Sequence, residues 1–398
     1  METNSPSSRK RKRDAEPTSL MSLGDDMLVE VLTRLPSLPS LASAGLASPR
    51  LCAVASSPAV VDPFLSRAPL LGYFVSVPRG AVPAFHRAVL RGDRHLAAVV
   101  RRGDFHLADF EEYKWRLMDC RHGLLLLSSD SWRCSDMVVF DPVSHSRLRI
   151  PHCPHKISSE SLNCFLPAGG SGPTSFRVLS LEKQYTSVLA CVYSSRTGEW
   201  GAPKSINRPI GFKLGVPMHA GGRIYWRCCR AQLTSLDVGA MKFSPVALPN
   251  KHFDPRSYAV GETEDGTTCL VAMEHSLVRI WFLKEDKFWE LQSEVDAFRL
   301  YLLGGRVQKI CDVTAGVVLV IAMGTSNGAL HYYAFRLKNA LQEGNRTLKM
   351  EADFFTSSGW VLPYFMAWPR PSLKVGTDEN TVTRGQQLAG KKTSLKDQ

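Results

Sequence analysis

Apolar residues in this chain follow two rhythms, and the change from one to the other divides it. Between Leu23 and Pro58 the spacing is helical: Leu28, Val31, Leu32 and Leu35 stand at i, i+3, i+4 and i+7, on one helix face. Asp25 and Asp26 fall where that helix begins, a position that favours negative charge. Pro36 ends it, because the residue before a proline is pushed out of the α region. A second short helix is predicted over 40–46, and a third over 49–55 with Ser48 as cap and Pro49 at its first position. A fourth is predicted over 60–67. Helices this short cannot bury a core alone, so their apolar faces need another surface.

Beyond residue 67 the rhythm becomes that of strands. Apolar residues gather in short β-prone runs between Gly, Pro, Ser and Asp, the pattern of a many-stranded β domain. The pattern also repeats. Taking Phe140, Tyr193, Leu236, Phe282 and Phe335 as equivalent, the intervals are 53, 43, 46 and 53 residues. The first four are followed seven or eight residues later by Leu148, Trp200, Phe243 and Trp289. The runs beginning at Gly123, Gly222 and Gly316 fit the strand before each equivalent strand. A period near 45–50 with about four strands per unit marks a β-propeller blade, which must stack on neighbours to bury its faces.

The run from Leu71 to Val77 and the segment to Asp109 are expected to supply an irregular further blade, and Trp360 to Trp368 a closing strand. Six blades are expected, with seven blades or a two-sheet sandwich as alternatives. The fold class is therefore mainly β, with a small N-terminal α-helical domain before an irregular β-propeller. The expected segments are a basic tail over 1–18, a helical domain over 19–67, a propeller-like domain over 68–369 and a polar tail over 370–398. Both tails are poor in apolar residues and are expected to be disordered.

The order of residues in the helical segment resembles the F-box. That family reads roughly Leu-Pro-x-Asp/Glu-x-Leu, then Ile-Leu, Leu-Pro, and Leu-Val-Cys-Arg-x-Trp, ending near Asp-Pro. Here the counterparts are Leu23-Gly24-Asp25-Asp26-Met27-Leu28, Val31-Leu32, Leu35-Pro36, and Leu46 with the run to Ser57-Pro58. Gly24 replaces the first proline, Ala47 and Ser48 replace Val-Cys, and Leu51 stands in place of the Trp, while Arg50 keeps a basic residue before it. The β repeat looks like the kelch-like associated domains behind plant F-boxes, although its intervals are loose and it lacks glycine doublets.

Composition adds limits. No apolar run is long enough to span a bilayer, the longest being Val317 to Met323, and no secretory signal is expected at the basic N-terminus. The ten cysteines show no regular spacing and no C-x-x-C pair, so they read as reduced and mostly buried thiols. A net charge of +12 favours acidic partners. Arg9, Lys10, Arg11, Lys12 and Arg13 match a nuclear-import signal, which gives an expected location in nucleus, cytoplasm or both.

No catalytic pattern is present: no G-x-S-x-G, H-E-x-x-H, Walker loop or dinucleotide fingerprint. The stretch from Gly324 to Gly328 reads as a hairpin turn, because another strand and not a helix follows it. His152, Cys153 and His155 cluster without a second set of ligands, so a stiff loop is favoured over zinc, and no metal or cofactor is expected. Cys228 and Cys229 read as packing thiols, since adjacent strand residues point to opposite faces. Basic residues from His86 to Arg102 read as a solvated edge, with a patch for an acidic partner as the alternative.

The resemblance implies a non-catalytic substrate-recognition subunit of a Skp-cullin-F-box ubiquitin ligase. Leu23, Leu28, Val31, Leu32, Leu35, Pro36, Leu46 and Leu51 would dock on a Skp-type adaptor, and through it a cullin, while the propeller captures an unidentified protein. The alternative is a non-ligase propeller scaffold, nuclear and in contact with nucleic acid. Neither reading involves a membrane.

Overall fold

The computed structural model describes residues 20–65, 68–76, 83–88, 94–110, 115–129, 136–154, 161–166, 175–209, 212, 215–229, 232–250, 253–254, 257–275, 277–285, 288–296, 305–324, 330–338, 352–355 and 360–368. Both predicted tails lie outside these residues, as do Arg9 to Arg13, Cys134 and His155. Contacts group the chain into two compact units, 1–63 and 64–398.

The first unit holds α1 (Asp25–Thr33), α2 (Leu38–Leu46) and α3 (Pro49–Ala55); α4 (Pro58–Leu65) follows and runs across the division. The predicted third helix and its Ser48 cap are both present, with the Ser48 hydroxyl accepting from Leu51 N at 3.1 Å. The second helix starts two residues earlier than its prediction, at Leu38, because the Ser37 hydroxyl accepts from Ser40 N and caps it there. Pro39 sits in that first turn, where a missing N–H is no loss. The fourth helix likewise begins earlier, at Pro58.

The second unit is a six-bladed β-propeller. Five blades each meander outward through antiparallel strands. Blade 6 opens with β1 (Leu70–Ser76) and β2 (Ala84–Arg87), and α5 (Arg94–Arg102) follows. Blade 1 is β3 (Trp115–Arg121), β4 (Leu124–Ser129), β5 (Met137–Asp141) and β6 (Ser146–Ile150). Blade 2 is β7 (Ser161–Phe165), β8 (Arg177–Lys183) and β9 (Ser187–Ser194), with β10 (Glu199–Trp200) and β11 (Lys204–Asn207) both pairing to β9. Blade 3 is β12 (Met218–Ala220), β13 (Arg223–Cys229), β14 (Gln232–Asp237) and β15 (Lys242–Ala247). Blade 4 is β16 (Tyr258–Glu262), β17 (Thr268–Glu274), β18 (Leu277–Lys284) and β19 (Phe288–Asp296). Blade 5 is β20 (Gly305–Thr314), β21 (Val317–Gly324), β22 (Leu330–Arg336) and β23 (Ala352–Phe355). The final strand, β24 (Trp360–Phe365), pairs with β1 and completes blade 6.

The repeat read from the sequence has a single structural meaning. Phe140, Tyr193, Leu236, Phe282 and Phe335 all lie on the third strand of their blades, and Leu148, Trp200, Phe243 and Trp289 on the fourth. Two of these fourth-strand residues also join blades. Trp200 Nε1 donates to the Pro151 carbonyl at the end of blade 1, at 2.7 Å, and Trp289 Nε1 to the Ala247 carbonyl at the end of blade 3, at 2.8 Å. Trp289→Phe keeps a large ring but removes this donor, so a loss of about 1 kcal/mol is expected from urea unfolding.

Turn chemistry repeats as well. Three blades join their first two strands through two-residue loops with positive φ at both positions: His122-Gly123, Gly221-Gly222 and Ala315-Gly316. Such loops match the right-handed twist of antiparallel strands. At Gly123 a Cβ would stand 2.5 Å from Ala367 Cβ, so glycine is required twice over. Between the third and fourth strands, Asp141 Oδ1 accepts from Val143 N and Asp237 Oδ1 from Ala240 N, both at 2.9 Å. These side chains hold the turn that the sequence repeats.

Candidate functional site

Each unit presents one site-like feature. In the helical unit, α1 and α2 both pack on α3. Leu28, Leu32 and Leu51 are buried, while Leu23 and Leu35 are half-buried. Pro36 is exposed, and Val31 and Leu46 are 36% and 81% exposed. The stripe read as one helix face is thus split. Leu28 and Leu32 point inward, and Val31 lies with Met27, four residues earlier, on an outward strip. Leu20, Met27, Val31 and Leu46 make up four of the seven large apolar side chains exposed among the described residues. The concentration is in this short unit, not in the propeller.

Arg50, the basic residue retained from the family pattern, fastens the unit together. Its Nε and Nη2 donate to Asp25 Oδ1 at 3.1 and 2.7 Å, and Nη2 also donates to the Leu23 carbonyl at 2.7 Å. The start of α1 is thereby tied to the start of α3. The ion pair is largely exposed and contributes less than about 1 kcal/mol by itself.

In the propeller, the first strands of the blades come together as an inner ring: β3 contacts β7, β12 contacts β16, β16 contacts β20, and β24 joins β20 to β3. Three polar side chains from consecutive inner strands converge there: Asp119 on β3, Cys164 on β7 and His219 on β12. All are buried, and their ligand-capable atoms lie within 4.8 Å of one another. The Asp119 carboxylate accepts from Cys120 N and Phe165 N, both at 2.8 Å, and Arg121 Nε stands 3.6 Å from its Oδ1. Burial raises the Asp119 pKa; Arg121 and the two backbone donors oppose that rise. Burial likewise pushes the Cys164 thiol far up.

His219 Nε2 is 3.8 Å from Asp119 Oδ2, too far for a hydrogen bond. Burial, helped by the nearby charges of Arg121 and His122, holds its pKa well below the ordinary range, so the imidazole is neutral and the pair is not ionic. Neither ring nitrogen has a hydrogen-bond partner among the described residues. Leaving a buried polar group unpaired costs roughly 1–3 kcal/mol, which makes His219 the most conspicuous polar group of the ring.

Other residues singled out in the sequence are dispersed. His152 is exposed and Cys153 buried in the segment after β6, and neither belongs to the group of metal-capable side chains found among the described residues. β21 and β22 pair antiparallel across the Gly324 stretch, although residues 325–329 lie outside the description. Of the basic segment, His86 lies on β2 with its pKa lowered by burial, and Arg101 and Arg102 are exposed at the end of α5. The eight cysteines whose side chains are described are all free, and five of them are buried. No helix among the described residues is long and apolar enough to cross a membrane.

The architecture is that of a mainly β protein built on a six-bladed propeller with a small helical unit before it. Residues 116–300 match the family described as "F-box protein AT5G49610-like, beta-propeller", the part of the chain that holds blades 1 to 4. No curated protein matches the chain. Among solved structures, TolB from Acinetobacter baumannii is similar over 80% of this chain and 73% of its own, at 11% identity and a TM-score of 0.40. The six-bladed fucose-binding lectin of Aleuria aurantia is similar over 61% of this chain and 79% of its own, at 14% identity and a TM-score of 0.34.

Proposed function

We propose that this protein is the substrate receptor of a Skp-cullin-F-box ubiquitin ligase. Its helical unit docks a Skp-type adaptor, and through it a cullin, while the propeller holds the protein to be ubiquitinated. The observation that carries this reading is the exposure of three large apolar side chains, Met27 and Val31 on α1 and Leu46 on α2, in one short helical unit. The match of residues 116–300 to an F-box-protein propeller family supports it. The receptor is not itself an enzyme in this reading. Its contribution is positioning, which raises the local concentration of substrate at a catalytic subunit elsewhere.

The eight predicted adaptor contacts have different roles here. Val31, Pro36 and Leu46 offer surface, with Leu23 and Leu35 at its margin, whereas Leu28, Leu32 and Leu51 hold the helices together. An aspartate at Leu32 would therefore break the unit itself. Val31→Asp combined with Leu46→Asp avoids that problem. The double variant is expected to lose adaptor in a pull-down by more than about tenfold, with its unfolding transition unchanged. Adaptor capture equal to that of the parent would overturn the proposal.

We also propose that Arg9 to Arg13 direct nuclear import. Replacing all five with alanine in a fluorescent fusion should shift the protein to the cytoplasm, and an unchanged distribution would refute the assignment.

A further inference from the structure

We infer that Asp119, Cys164 and His219 form a zinc site inside the inner ring of the propeller. Three kinds of donor atom meet there, a carboxylate oxygen, a sulfur and an imidazole nitrogen, each among the usual ligands of zinc. A sulfur and a nitrogen in a set of three argue against calcium or magnesium, which take oxygen shells.

The geometry is close to what the ion needs. Bonds of about 2.0–2.3 Å in a tetrahedron place ligand atoms roughly 3.3–3.7 Å apart. His219 Nε2 and Asp119 Oδ2 stand at 3.8 Å, and the whole set lies within 4.8 Å. Closing on a metal requires movements of an ångström or less.

An independent observation also points to a ligand. The His219 side chain is 5% exposed, lies beside the Asp119 carboxylate, and has no hydrogen-bond partner on either ring nitrogen among the described residues. A metal bond to one nitrogen would satisfy it, leaving the other as an N–H donor. Asp119 is already oriented for the task, since backbone N–H groups of Cys120 and Phe165 fix its two oxygens. On binding, the Cys164 thiol releases its proton to solvent and sulfur ligates as thiolate. With ionised Asp119, the two negative ligands balance the charge of the ion. Water completes the tetrahedron. The site would tie together the inner strands of blades 1, 2 and 3.

The test uses the purified full chain, dialysed against zinc-buffered solution and then analysed for bound metal and by X-ray absorption at the zinc edge. About one zinc per chain is expected, with a first shell of one sulfur near 2.3 Å and three lighter ligands near 2.0 Å. Cys164→Ser and His219→Asn should each lower zinc affinity by about tenfold or more. Zinc below about a tenth of an equivalent in the parent protein, a shell with no sulfur or with several, or undiminished affinity in folded variants would each overturn the site. Should neither variant fold, the absorption spectrum of the parent chain decides alone.

Discussion

Gly261→Ala is expected to lower the stability of the propeller by about 3 kcal/mol or more, as overpacking against backbone does at its upper end. A Cβ at this position would lie 1.8 Å from the Val313 carbonyl oxygen and 2.6 Å from Val313 Cβ. Gly261 is on β16 and Val313 on β20, the inner strands of adjacent blades, so the clash is with backbone that no rotamer change can move. Two blades would have to separate to admit one methyl group. Gly222→Ala is the matched control. Its φ is +70° but no atom stands within 4 Å of the added carbon, so only the left-handed backbone penalty of about 1–2 kcal/mol applies. Urea midpoints of the two variants measure the difference. Equal losses would show that the inner strands yield freely.

The second large effect concerns Tyr364, on the strand that closes the ring. Its side chain is fully buried among Phe74, Phe85 and Phe105, with ring centroids 5.8, 6.4 and 5.3 Å away. Its hydroxyl donates to the Gly123 carbonyl of blade 1 at 3.0 Å. Tyr364→Ala removes both the packing and the tie and should cost about 3–5 kcal/mol. Tyr364→Phe removes only the hydrogen bond and should cost about 1 kcal/mol. Thermal unfolding of the two variants separates these parts, and a phenylalanine variant as unstable as the alanine one would mean that the hydroxyl, not the ring, holds the closure.

Much of this architecture can be read from particular residues. The blade repeat is visible because the third strand of blades 1 to 4 carries an aromatic or leucine and leads through a tight turn to a second large apolar residue. Asp141, Gly198 and Asp237 announce those turns by their chemistry. Blade closure by Trp360 to Phe365 is legible for a different reason: an isolated apolar strand near the end of the chain has to find a partner. The early start of α2 is hidden because Ser37 and Ser40 are equally plausible caps, and only Pro39 in the first turn favours the former.

The inner-ring cluster is hidden for a deeper reason. Asp119, Cys164 and His219 come from three separate blades, and ligand spacing along the chain cannot reveal them. One signal does exist. Asp119, His219 and Asp312 each stand on a first strand, two or three positions before a turn at His122-Gly123, Gly221-Gly222 or Ala315-Gly316. Reading the chain in register with its turns would have aligned them. Likewise, periodicity places Leu28, Val31, Leu32 and Leu35 together but cannot separate those facing inward from those facing solvent.

The pairing of β24 with β1 also governs how the molecule is made. Leu70 leaves the ribosome 290 residues before Trp360. At roughly 5–20 residues per second, that is an interval of about 15–60 s. Throughout it β1 shows an unpaired backbone edge, the kind of surface that recruits foreign strands. Biogenesis of this protein thus depends on keeping a nascent edge shielded until the last strand arrives, and chain-terminating lesions just before Trp360 should yield aggregates instead of a shortened propeller.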